Sequence, residues 1–165
     1  WGGLRIGWVR AAAPLVQRLA ACRVYVDLAG PVLEQLVAVR LLEYADEVAA
    51  ARRAQLTAQR DALVAALRAE APQWRFRVPA GGLALWVELD APISSALTRA
   101  VEPLGVRIAP GPRFGLDGTL ERFLRLPFAR PASDLVEAVH RLVAARYDLD
   151  RPGRRPTEPA PALVA

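Results

Sequence analysis

The stretch PAGGLALWVELD, residues 79–90, predicts a turn that leads directly into a β-strand. Pro and Gly reverse the chain most readily, so the turn is expected at Pro79–Gly82. After the turn, apolar side chains occupy every second position, which is the two-residue period of a strand with one buried face. The apolar set is Leu83, Leu85, Val87 and Leu89, and the intervening set is Ala84, Trp86 and Glu88.

Outward from this strand, the chain alternates between strand patterns and helical patterns. Two-residue alternation or short apolar runs predict further strands at 4–9, 74–78, 106–109 and 122–128. Apolar residues at helical spacing predict helices at about 14–24, 31–43, 48–70, 93–104 and from Leu135 to beyond Val143. Because no series of β-α-β units occurs, the predicted fold class is α+β, a short mixed or antiparallel sheet covered by helices.

The content of basic residues and methionine is unusual in this chain. All 22 basic residues are arginines, and the chain has neither lysine nor methionine. A chain without methionine cannot start its own translation, so we expect Trp1 to lie inside a longer gene product. The net charge of +5 is dispersed rather than massed, which argues against a nucleic-acid surface on this segment.

The cysteine and histidine counts argue against a metal site. Cys22 and His140 are the single representatives of their types, too few for a zinc-type cluster. A lone cysteine cannot form an intramolecular disulfide, which fits a reducing cytoplasm. No apolar run approaches the ~20 residues that cross a bilayer, so no membrane partner is expected.

Arg5 is the first candidate for anion binding. If its segment is a strand, Arg5 shares a face with Gly7, which leaves space beside the guanidinium. A planar donor fork in such a space suits a phosphate, which it can hold through two hydrogen bonds. The alternative is a solvent-exposed arginine on an edge strand, and spacing alone favours that alternative.

Arg125 is the second candidate and lies in the apolar stretch FLRLPF, residues 123–128. An unpaired charge in such a strand is costly to bury, so this arginine needs an anion. The anion is either a structural carboxylate, such as Glu88 or Glu121, or the carboxylate of a substrate. The residues alone leave these alternatives open.

Two further features have a simple structural explanation. Gly81–Gly82 signals a close backbone approach to a ligand or, more simply, a hairpin turn. His140 is predicted on the surface of the last helix. No serine has a nearby base for a hydrolase triad, and a phosphate loop that needs a lysine is excluded.

Six stretches, in this order, resemble the C-terminal part of a fold-type I aminotransferase (class I/II) that uses pyridoxal phosphate (PLP). The nearest resemblance is to the aminotransferase-like domain of MocR-type regulators of the GntR family. The stretches are WGGLRIGWVRA (1–11), GPVLEQLVAVRLLE (30–43), RRAQLTAQRDALVAAL (52–67), PAGGLALWVELD (79–90), GVRIAPGPRFGLDG (105–118) and LERFLRLPFA (120–129). The resemblance extends to about Tyr147.

The resemblance implies a domain organisation. Residues 1–29 would end the large PLP-binding domain with its trailing strand, and 30–70 would form interdomain helices. Residues 71–149 would be the C-terminal small domain. Residues 150–165 lack periodicity and are expected to be a disordered tail.

The resemblance also implies roles for three residues. Arg5 matches the arginine that binds the cofactor phosphate, Arg125 matches the one that pairs with the substrate α-carboxylate, and Gly82 is expected beside the substrate. The lysine that attaches PLP would lie a few positions before Trp1. This chain would therefore contain no catalytic residue and would be inert alone, with pyridoxal 5'-phosphate as the cofactor of the full-length protein.

Three functions are compatible with these observations. The first is a piece of a MocR-like regulator that binds PLP and an amino-acid effector, works as a homodimer and binds DNA through an upstream domain. The second is a piece of a free-standing aminotransferase acting on an amino acid and a 2-oxo acid. The third is an unrelated α+β binding module, in which Arg5 and Arg125 pair with internal carboxylates.

Overall fold

The computed structural model describes residues 2–27, 30–150 and 163–164, and contacts divide the chain into two units, 1–51 and 52–165. The first unit begins with a 3-10 helix at Gly2–Leu4 and contains helices α1 (Ala13–Arg23) and α2 (Val32–Glu43). Both predicted helices are confirmed. A proline lies at the start of each helix, Pro14 in the first turn of α1 and Pro31 at the N-cap of α2. Within the described part of this unit, neither helix buries a residue.

The trailing strand predicted at Leu4–Val9 is wrong. After the 3-10 helix the chain is irregular as far as Ala12, and Arg5 has a φ of 53°, outside the extended region. A strand also needs a hydrogen-bonded neighbour, and no described residue pairs with this segment. The side chains of this segment alternate as in a strand, but no segment among the residues the structure describes is hydrogen-bonded beside it.

Helix α3 (Ala45–Glu70) follows Tyr44 directly and runs across the boundary between the two units. The predicted interruption at 44–47 therefore shrinks to a single residue. In chain order, the second unit continues with β1 (Arg75–Phe76), β2 (Ala84–Glu88), α4 (Ser94–Val101), β3 (Val106–Arg107), β4 (Ala109–Pro110), a 3-10 helix (Gly111–Phe114), β5 (Phe123–Pro127), α5 (Ala132–Leu149) and β6 (Leu163–Val164).

Four of these strands form an antiparallel sheet in the order β1-β2-β5-β4. Helices cover one face of this sheet, and the side chains that meet there are the core of the unit. Each large apolar side chain buried in this way contributes about 1.5–3 kcal/mol relative to exposure. The core includes Leu63 and Leu67 of α3, Leu85 and Val87 of β2, Leu97 of α4, Leu124 and Leu126 of β5, and Val139 and Leu142 of α5. The predicted α+β class, a short sheet covered by helices, is confirmed.

Two segments of this unit differ from expectation. The strand predicted at 106–109 is split at Ile108, so that β4 joins the four-stranded sheet while β3 pairs in parallel with β6. The disordered tail expected over 150–165 falls largely outside the described residues, apart from the short strand β6 and the end of α5. Among the described helices, none has the length and apolar character needed to cross a membrane.

Candidate functional site

Arg125 lies on the face of the sheet that the helices leave open. Its neighbours Leu124 and Leu126 are 0% and 3% exposed in the core, so the alternation of the strand directs Arg125 to the other face. There it is half-buried, with Trp86 of β2 directly opposite on one side and Ala109 of β4 on the other.

Within the described residues, the guanidinium of Arg125 forms no hydrogen bond or ion pair, and the hydrogen bonds of this residue are those of its backbone in the sheet. Neither carboxylate considered from the sequence is its partner. Glu88 lies opposite Phe123, two pairs further along the strands, and Glu121 is hydrogen-bonded at the start of α4. A half-buried guanidinium with its donors free is suited to bind an anion from outside the chain.

An aromatic cluster stands beside Arg125. Trp86 stacks on Phe123, with ring centroids 5.5 Å apart and planes inclined by 12°, and meets Phe114 edge-on at 5.6 Å and 84°. These geometries are the ones that aromatic pairs favour. The alternation of the strand predicts that Trp86 lies opposite the apolar set, but it does not identify Trp86 as the neighbour of Arg125. That relationship depends on the register of two strands far apart in sequence.

Gly82 lies in the loop that precedes β2, at one end of the same sheet. Its φ of 93° is a conformation that glycine adopts without the steric cost other residues incur. A Cβ at Gly81 or Gly82 would meet no atom within 4 Å, so the space beside the loop is open. Gly82 precedes Trp86, the residue opposite Arg125, by four positions. Along an extended chain this separation is about 13 Å at most.

Arg5 belongs to the first unit and is exposed. Within the described ranges it has no hydrogen bond or ion pair. It therefore remains available to a phosphate, although not through the strand geometry that suggested this role. The 165 residues include no lysine to attach PLP covalently, so the residues present do not make a complete site for that cofactor.

Glu121, which lies two residues before β5, fixes the start of α4. Its Oε2 accepts hydrogen bonds from the Ser95 backbone N–H and from the Ser94 hydroxyl, each at 2.9 Å. Hydrogen bonding by the Ser95 side chain first, and then by the Ser95 N–H and the Ser94 hydroxyl, holds the pKa of the Glu121 carboxyl below its usual range. Glu121 is therefore a structural carboxylate, as considered from the sequence, but it binds the start of α4 and not Arg125.

Asp90 ties the end of β2 to α5. Its carboxylate accepts hydrogen bonds from Arg146 at 2.7 and 3.2 Å and from the Trp74 indole N–H at 3.2 Å. The bond from Arg146 is the main reason that the pKa of Asp90 lies below its ordinary value, and the same pairing raises the pKa of Arg146. This network holds the strand that carries Trp86 against the helical layer.

His140 lies on the surface of α5, as predicted. Its Nδ1 is 2.6 Å from Oε2 of Glu70 at the end of α3. The contact joins the two long helices, and nothing in it resembles a catalytic arrangement. Among the described residues, no group of three or more His, Cys, Asp or Glu side chains is placed to hold a metal ion.

Comparison with known proteins identifies the family. The model of the family "Aminotransferase class I and II" matches residues 2–142. The chain is 31% identical to 2-aminoadipate transaminase of Thermus thermophilus over 146 residues, which are 85% of this chain and 36% of that protein. It is also 31% identical to YisV of Bacillus subtilis, an HTH-type transcriptional regulator, over 77% of this chain and 27% of that protein.

Solved structures show the same relationship. LysN, the α-aminoadipate aminotransferase of Thermus thermophilus complexed with N-(5'-phosphopyridoxyl)-L-leucine, superposes with a TM-score of 0.82 at 30% identity and covers 90% of this chain. The kynurenine aminotransferase of Pyrococcus horikoshii gives 0.78 at 26% identity and covers 89% of this chain. The chain spans 39% and 38% of those two chains, respectively.

These relationships decide between the alternatives at the level of family. The unrelated binding module is excluded by the match over residues 2–142. The small domain of a fold-type I aminotransferase is the fold, as the resemblance implied, and pyridoxal phosphate is the cofactor that the family and the LysN complex indicate. Regulators and aminotransferases both occur among the relatives. The chain belongs to the aminotransferase class I and II family.

Proposed function

We propose that this chain is the C-terminal part of a PLP-binding aminotransferase-like protein, in which Arg125 binds the α-carboxylate of an amino acid. The observation that supports this most is the state of Arg125. It is half-buried on the open face of the sheet, and it has no partner within the described residues. A carboxylate from outside would complete its hydrogen bonds through the planar fork of the guanidinium.

The remaining site residues have supporting roles in this proposal. Gly82 would let the loop before β2 approach the amino acid closely, because it has no side chain and the space where a Cβ would lie is open. Arg5 would contribute one contact to the cofactor phosphate. The covalent attachment would come from a lysine upstream of Trp1, so the 165 residues alone are expected to be inert.

For the whole protein, we favour a MocR/GntR-type regulator that binds PLP and an amino-acid effector. Two HTH-type regulators of Bacillus subtilis, YisV and YdfD, are 31% and 28% identical to this chain. Such a protein would be cytoplasmic and homodimeric, and it would contact DNA only through a domain upstream of residue 1. The alternative is a free-standing transaminase, which the equal identity to 2-aminoadipate transaminase supports.

Reading the coding DNA upstream of the Trp1 codon tests both parts of this proposal. A lysine codon a few positions upstream is the expected result. A winged-helix domain farther upstream would identify a regulator, while a large domain that begins at a start codon would identify an enzyme. A start or stop codon next to Trp1, with no lysine, would contradict the proposal.

A further inference from the structure

A groove of about 310 Å³ lies between α3 and the glycine loop that precedes β2. Its polar walls are Arg53, Thr57 and Arg60 on the helix and the backbone of Gly81 and Gly82 on the loop. We refer to it as the α3–loop groove. It is distinct from the open sheet face, because α3 covers the opposite face of the sheet.

The three helical side chains are spaced to act together. Arg53, Thr57 and Arg60 occupy positions i, i+4 and i+7, which fall on one side of an α-helix. Arg60 is held in place, because it donates a hydrogen bond of 3.1 Å to the Pro79 carbonyl oxygen and pairs with Asp61 at 2.8 Å. It therefore joins the loop to the helix, and its charge is balanced.

The other donors of the α3–loop groove have no partner. Within the described part of the chain, the guanidinium of Arg53 forms no hydrogen bond or ion pair. The amides of Gly81 and Gly82 donate no hydrogen bond to any described backbone or side-chain group, and the space around both glycines is open. The residues that line this groove thus include a guanidinium, a hydroxyl and two backbone amides, which are donor types that bind oxyanions.

The charge of this groove differs from that of two others in the same unit. A groove of about 380 Å³ has Arg107 and Arg113 in its wall together with Glu102. One of about 280 Å³ has two arginines together with Glu88. The wall of the α3–loop groove includes no carboxylate, and the nearby Asp61 is already paired with Arg60. Arg53 is exposed, and no carboxylate in the wall of this groove competes with a ligand for its charge.

We infer that the α3–loop groove is a binding site for a small oxyanion, held by Arg53, the Thr57 hydroxyl and the amides of Gly81 and Gly82. A carboxylate and a phosphate group share the chemistry that these donors recognise. This site uses neither Arg125 nor Arg5, and it shares only Gly82 with the amino-acid site proposed above.

The test uses the 165-residue chain, titrated by calorimetry with inorganic phosphate and, separately, with sodium acetate at constant ionic strength. We expect saturable binding of at least one anion with a Kd of about 1 mM or tighter. Arg53→Gln should weaken it about tenfold, because a charge-assisted contact is lost. Thr57→Val, which keeps the shape and removes the hydroxyl, should weaken it several-fold.

Arg52→Gln is the matched control, since Arg52 is the adjacent exposed arginine, bonds to Gln55 and is not part of the groove wall. Preferential binding of phosphate would assign the site to a phosphorylated ligand, and binding of acetate would assign it to a carboxylic acid. If neither anion saturates, or if Arg52→Gln weakens binding as much as Arg53→Gln, the inference is overturned.

Discussion

Trp86 and Arg125 lie directly opposite each other on neighbouring antiparallel strands, on the face of the sheet opposite the core that α3, α4 and α5 cover. The indole is fixed by its stacking on Phe123, so an anion bound to Arg125 would have a rigid aromatic wall beside it. Such a wall excludes water from one side of the guanidinium. Exclusion of water strengthens an ionic hydrogen bond, because the local dielectric constant falls.

Gly111 tests the packing at the start of the 3-10 helix that precedes Phe114. A Cβ at Gly111 would overlap the carbonyl oxygen of Leu120 and lie 2.8 Å from that of Phe123. Backbone oxygens cannot move aside as a flexible side chain can, so Gly111→Ala should lower the free energy of unfolding by about 3 kcal/mol or more. Urea unfolding of the 165-residue chain measures this change.

The control for that substitution is Gly81→Ala. A Cβ at Gly81 would meet no atom within 4 Å, so this variant should unfold within about 0.5 kcal/mol of the wild type. Equal stability of the two variants would show that the close approach at Gly111 is not as described.

Glu121→Ala should destabilise the chain by about 1–3 kcal/mol. It removes the acceptor for the Ser94 hydroxyl, whose residue is fully buried, and for the Ser95 amide. Glu102→Ala is the matched surface variant. Its carboxylate is 61% exposed and 3.7 Å from Arg107, so its loss should change stability by less than about 0.5 kcal/mol. Thermal unfolding of both variants measures these changes in stability. An effect of Glu121→Ala as small as that of Glu102→Ala would show that Glu121 does not stabilise the start of α4.

The pairing of Asp90 with Arg146 predicts how stability depends on pH. Because the pKa of Asp90 is lowered in the folded chain, its contribution is complete above the ordinary aspartate pKa of about 3.9. That contribution is lost as the pH falls through the lower, folded-state value. Asp90→Asn should reduce stability by about 1 kcal/mol at neutral pH.

Melting temperatures measured from neutral to acidic pH check this prediction. The wild type should lose more stability than Asp90→Asn below the ordinary aspartate pKa, so that the two curves converge. Parallel curves would show that the carboxylate of Asp90 does not stabilise the folded chain.

Local patterns in the sequence were sufficient to predict much of the second unit. The alternation around Leu85 and Leu124 identified two strands and their buried faces. Successive side chains of a strand point to opposite faces, so a strand with one buried face has an apolar residue at every second position. Pro14 and Pro31 marked the starts of α1 and α2 for an equally local reason.

Features that depend on distant partners could not be predicted in this way. The segment 4–9 has the alternation of a strand, but no described neighbour pairs with it. The pairing of Trp86 with Arg125 depends on strand register, and the contact of Arg60 with Pro79 joins residues 19 positions apart. Glu121 was expected as a possible partner of Arg125, which is four positions away in the sequence. Its actual partners, Ser94 and Ser95, are distant in the sequence, so spacing could not identify them.

The role of Arg125 is the central claim, and amino-acid binding to the PLP-loaded full-length protein tests it most directly. Absorbance titrations with L-leucine and L-glutamate would compare the wild type with Arg125→Gln and with Arg130→Gln, an exposed arginine paired with Asp134. We predict that Arg125→Gln retains PLP but binds the amino acid about 100-fold more weakly, while Arg130→Gln binds as the wild type does. Unchanged affinity in Arg125→Gln would contradict the assignment of the carboxylate site.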